Sequence, residues 1–140
     1  MQYRRYGSVY AVRLDAGDEI LESLAALAEK EGLSLAAVSG LGAAGEVTLG
    51  IFQPGEKQYY SQTFAGAYEI SSLTGNITRM EGKPYLHLHI TIGNPVTGEC
   101  HAGHLSRAVI SATAELFITV LDGEAGRKFS NEVGLNLLEF

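Results

Sequence analysis

An α+β fold around a largely antiparallel sheet is what the sequence predicts. Most segments alternate with a period of two or are rich in β-branched and aromatic residues, and only one carries the 3.6-residue period of an amphipathic helix. Strands do not alternate regularly with helices, as a doubly wound parallel sheet would require. At 140 residues the chain suits one compact domain, 1–140, with a sizeable core and one or two helices.

The elements follow in chain order. Tyr6 to Leu14 reads as a first strand, ended by the turn cluster Asp15-Ala16-Gly17. Ile20, Leu21, Leu24, Leu27 and Ala28 then share one helical stripe, with Asp18 as the expected N-cap and Gly32 as the left-handed stop. Leu35 to Leu41 reads as a short buried strand, and Glu46 to Phe52 alternates as another beyond a glycine run. Pro54 to Lys57 is a turn, and Tyr59 to Phe64 and Tyr68 to Met80 are extended.

Tyr85 to Ile92 is the cleanest strand: Leu86, Leu88, Ile90 and Ile92 face one way, and Tyr85, His87, His89 and Thr91 the other. After the Asn94–Gly98 turn, Glu99 to Leu105 and Ala112 to Leu121 read as strands, and Leu135 to Phe140 closes the chain.

Composition excludes several classes. With 46% hydrophobic and 19% charged residues, and 17 glycines spread along the chain, it is neither collagen, coiled coil nor disordered. Ten Lys and Arg against sixteen Asp and Glu give a net charge of -6, which disfavours generic polyanion binding. The single Cys100 cannot form an internal disulfide, no apolar leader follows Arg4-Arg5, and no apolar run reaches membrane-spanning length. The expected location is the cytoplasm, with no membrane partner.

Gly40-Leu41-Gly42-Ala43-Ala44-Gly45 spells G-x-G-x-x-G. A phosphate-cradling loop must open a helix, and here a strand pattern follows, so a glycine-lined turn between strands is the expected structure.

The histidines carry the chemical signal, since all four fall within eighteen positions: His87, His89, His101 and His104. Residues two apart on a strand share a face, which sets His87 and His89 side by side with Cα atoms about 6.5–7 Å apart. A chain returning after the Pro/Gly turn can bring His104 to the same spot. Three imidazoles suit zinc or another divalent transition metal and leave a fourth position open. His101 is the weaker candidate, because three residues before His104 it shares that side only if the segment is helical. Cys100 could serve as a soft ligand, but a lone cysteine is usually a small buried apolar residue. A cupin-type site needs a glutamate that Ile90 to Val96 does not supply.

Several motifs stand in a fixed order: Ser39-Gly40-Leu41-Gly42-Ala43, then Gly66-Ala67-Tyr68-Glu69-Ile70-Ser71-Ser72-Leu73-Thr74-Gly75-Asn76, Leu86-His87-Leu88-His89, Ala102-Gly103-His104-Leu105 and Thr113-Ala114-Glu115. Together they resemble the PPC domain, the plant and prokaryote conserved domain, over nearly the whole chain. The resemblance implies a compact α+β fold, a homotrimer, and a metal site at His87, His89 and His104. It also implies contact with partner proteins, here assigned to Gly66, Tyr68, Glu69 and Ile70. Prokaryotic members are commonly described as DNA-binding by analogy with plant proteins, in which an AT-hook precedes the domain. This chain has no Arg-Gly-Arg-Pro hook, and Ala67 stands where the plant segment has arginine. DNA is therefore a possible but weak partner.

The leading expectation is a trimeric assembly or regulatory module with a three-histidine metal site. The alternative is a small zinc-dependent enzyme acting through a metal-activated water on a small molecule, its catalytic residues unknown. Glu69, Glu99 and Glu115 are the candidate carboxylates beside such a metal.

Overall fold

The computed structural model describes residues 1–140. Strands account for 70% of the chain, and there is a single short helix. The elements are β1 (Gln2–Tyr6), β2 (Val9–Asp15), α1 (Ile20–Lys30), β3 (Ala36–Gln53), β4 (Gln58–Met80), β5 (Lys83–Asn94), β6 (Glu99–Val120), β7 (Gly126–Ser130) and β8 (Leu135–Glu139).

The main sheet is antiparallel, in the order β1-β2-β6-β3-β4-β5, with β5 also pairing to β6. Strand β6 lies against β3 over most of its length. On its other side it takes β5 over Glu99–His104 and β2 over Thr113–Thr119. The ring β3-β4-β5-β6 therefore closes on itself, removing edges that would otherwise invite pairing with other chains.

Three pairs of short strands expected from the sequence are single long ones. Residues 35–41 and 46–52 belong to β3, 59–64 and 68–80 to β4, and 99–105 and 112–121 to β6. The glycine run 40–45 is thus no turn: β3 continues through it with register shifts between Gly40 and Gly42 and between Ala44 and Glu46. Gly42 has φ +156, and a Cβ there would lie 2.6 Å from the Ala114 backbone. Glycine lets β3 bulge while pressing on β6. Periodicity breaks at a bulge, which is why the pattern alone suggests an interruption.

The N-terminal strand is a hairpin, β1 pairing with β2 from Gln2↔Arg13 to Tyr6↔Val9. The helix is capped by Glu19, whose carboxylate accepts from Glu22 N (2.7 Å) and from Ala108 N (2.8 Å). Asp18 is engaged elsewhere, accepting from Asp15 N and pairing with the terminal amine of Met1 at 2.7 Å. Gly32 takes φ +64 just past the helix, as expected. No helix is long and apolar enough to cross a membrane.

Ile20, Leu24, Leu27 and Ala28 seat the helix on a core cluster that includes Leu88, Ile90, Ile92, Leu105, Ile110 and Leu116. With one face of β5 committed to that core, period-two alternation sends the histidines to the other face. The hairpin β7–β8 forms a separate two-stranded sheet packed on β4.

Candidate metal centre

Two strands set the site. In the β5–β6 ladder His89 stands directly opposite His104, and His87 lies two residues along β5 on the same face. The ring centroids form a near-equilateral triangle: 5.3 Å from His87 to His89, 5.3 Å from His87 to His104, and 5.6 Å from His89 to His104. Their donor atoms all lie within 4.8 Å of one another. Three such nitrogens are the donor set that a zinc ion, with Zn–N distances of about 2.0–2.1 Å, would use.

The electrostatics favour the ligating form. Burial, the Arg127 charge and His89 push the pKa of His87 below its ordinary value. Burial and the other two histidines do the same to His104. Both shifts run toward the neutral ring, whose lone pair a metal requires. The donor set fits a borderline-soft divalent ion with one position left open.

Close approach builds the surroundings. Gly50 of β3 pairs with His104, and a Cβ at Gly50 would sit 1.9 Å from the Tyr59 hydroxyl. The Tyr59 ring thus lies over the strand and meets His104 edge-on at 5.7 Å. Gly75 of β4 would carry a Cβ 2.0 Å from the His87 carbonyl oxygen. The histidines open into a cavity of about 750 Å³ whose walls come from β3, β4, β5, β6 and the β7–β8 hairpin.

The other candidate residues lie elsewhere. His101 is on the opposite side of β6, stacked on Phe64 at 3.9 Å and edge-on to Tyr68 at 6.1 Å. Cys100 is exposed, not buried as expected. Glu69, Glu99 and Glu115 do not line the cavity. Glu69 borders a groove with Pro95, Glu99 accepts from the Thr97 hydroxyl at 3.0 Å, and Glu115 pairs across from Arg13. Each follows from strand position: Glu115 lies too far along β6, and Glu69 and Glu99 flank the distal β5–β6 turn. In the 66–70 segment Gly66 and Glu69 are exposed, while Tyr68 and Ile70 turn into the core.

Arg127 is the site residue the sequence reading missed. Its Nε donates to Thr78 Oγ1 (3.1 Å), one Nη to the Asn136 carbonyl (3.2 Å) and the other to Asn76 Oδ1 (2.6 Å). Its guanidinium lies 4.9 Å from the Tyr85 ring centroid. As one of ten cations scattered along the sequence, it gives no local signal of this role.

Fold and site together define a small, closed antiparallel β protein with a three-histidine cluster on the β5–β6 face turned away from the core. A model of the Plants and Prokaryotes Conserved (PCC) domain matches residues 1–122. The chain belongs to this family, the one its motifs resemble.

Among solved structures it is similar to a candidate DNA-binding protein from Bacteroides thetaiotaomicron, with 36% identity, 99% of this chain and 96% of that one covered, and a TM-score of 0.95. A metal-containing protein from Archaeoglobus fulgidus shares 29% identity over 100% and 99% of the two chains, with a TM-score of 0.90. A plant- and prokaryote-conserved protein from Pyrococcus horikoshii shares 28% over 99% and 94%, with a TM-score of 0.85. No curated protein matches.

Proposed function

We propose that the whole chain works as one cytoplasmic unit, a homotrimeric assembly or regulatory module whose His87, His89 and His104 hold zinc or a similar divalent transition metal. The observation that carries this reading is the meeting of three imidazoles, two of them with lowered pKa, on a rigid two-strand platform. A metal bound there supplies a fixed positive charge and one exchangeable position. The similar Archaeoglobus protein, described as metal-containing, supports the same reading.

Trimer formation would cover apolar side chains that the single chain leaves exposed, among them Leu41, Ile51 and Phe117. Gly66 and Glu69, exposed in the 66–70 segment, would be the residues that meet a partner protein. DNA contact, suggested by the description of the Bacteroides relative, is weak and sequence-independent in this reading because the chain is acidic and lacks a run of cations. The enzyme alternative has less support, since no carboxylate lines the cavity to serve as a base.

Metal analysis of untagged protein, purified without added metal, tests the central claim: one zinc-like ion per chain supports it, and a metal-free protein that also fails to take up added zinc refutes it. Light scattering tests assembly, with about 45 kDa expected for three chains of 15.0 kDa.

A further inference from the structure

The cavity beside the histidines has chemistry that metal binding alone does not use. Its walls hold one guanidinium, from Arg127, and no Asp or Glu. All three hydrogen bonds of that guanidinium end on neutral oxygens, so its charge has no carboxylate counterpart. In a protein of net charge -6, a half-buried cation with no carboxylate partner, lining one cavity with the three histidines, is an anion site in waiting. Arg127 is also fixed: Asn76, which accepts from its Nη, is the register partner of His87.

The remaining wall is apolar. Leu135, Leu137 and Leu138 of the C-terminal hairpin line it together with Ile51 and Phe52 of β3. This hairpin lies beyond residues 1–122 matched by the family model, yet it supplies both the cation and the leucines. A volume of about 750 Å³ falls within the range of small-molecule sites, which pair an apolar lining with a few placed polar groups.

We propose that the cavity binds a small organic carboxylate with an apolar body, its carboxylate held between Arg127 and the metal-bearing histidine cluster and its body against the hairpin leucines. This rests on the metal reading above and names the class of effector or substrate that the centre takes. A carboxylate satisfies the remaining guanidinium N–H groups and the open position of the ion together. A neutral or purely polar ligand satisfies only one part of the wall.

The test is isothermal titration calorimetry of the full-length, zinc-loaded protein with hexanoate, acetate and 1-hexanol. Hexanoate should bind once per chain and at least about tenfold tighter than either comparator, since losing a charge-assisted contact or the apolar burial costs on that order. Arg127→Gln, loaded to one zinc per chain, should bind hexanoate about tenfold or more weakly than the parent loaded to the same content. Because Arg127 also ties the hairpin to the sheet, Leu137→Ser provides a second arm: it should weaken hexanoate and leave acetate as it was. Zinc bound at one per chain with no hexanoate heat, or with equal affinity for all three probes, overturns the carboxylate site and leaves the metal reading intact. A protein that takes no zinc overturns both.

Discussion

The two sides of the β5–β6 ribbon put the same residue type to opposite uses. On the cavity side His87, His89 and His104 face one another across open space, two of them with pKa pushed down by burial and neighbouring charge. On the core-facing side His101, the register partner of buried Ile92, lies flat on Phe64, with planes 22° apart, and its buried Nε2 has no hydrogen-bond partner. His101 and His104 are three apart on one strand, so an odd step alone separates an aromatic packing residue from a ligand candidate. The type of side chain tells less about its chemistry than the parity of its position.

Breaking that contrast should show first in metal content. His89→Ala or His87→Ala removes one of three donors and should abolish stoichiometric zinc, whereas His101→Ala should retain about one ion per chain, as read by mass spectrometry. Loss of metal in His101→Ala, or its retention in the other two, would erase the distinction between the sides.

Gly75→Ala should come next. The added Cβ would collide with the His87 carbonyl oxygen, pushing β5 away from β4 at a cost of about 1–3 kcal/mol by urea unfolding. It should also weaken zinc, because His87 moves with its strand. A variant as stable as the parent would mean that the close approach does not position the site.

Phe64→Ala sharpens the core-facing side, removing the stacked partner of His101 at a cost of about 0.5–1.5 kcal/mol beyond lost burial, with zinc content unchanged.

The smallest effect is a pH dependence confined to the cavity side. His87 and His104 have folded pKa values below the ordinary value of 6.5, so the unfolded chain takes up protons first as pH falls. Their contribution is complete above about pH 6.5 and is lost as pH drops through the folded values. Melting temperatures of metal-free protein between pH 8 and pH 5 should therefore fall on acidification. A His87→Ala/His104→Ala double variant should flatten the slope and His101→Ala should not.

Much of this was legible in local pattern. The stripe Ile20, Leu24, Leu27, Ala28 is buried as its spacing predicts, and the alternation of residues 85–92 placed Leu88, Ile90 and Ile92 in the core and the histidines opposite. Where the chain bulges, as at Gly42 and Ala44, the two-residue period slips, and one strand reads as two. The N-cap was misplaced by one residue because Asp18 is drawn to the Met1 amine, a contact that no local rule contains.

Period-two geometry made His87 and His89 neighbours before any fold was known, since that relation is fixed by the pleat of one strand. That His104 stands opposite His89, that Arg127 comes from a hairpin forty residues along the chain from His87, and that leucines close the far wall were decided only by tertiary structure. Register across a ladder and the docking of a hairpin are set by the summed fit of distant core residues, and no short stretch of sequence holds that sum.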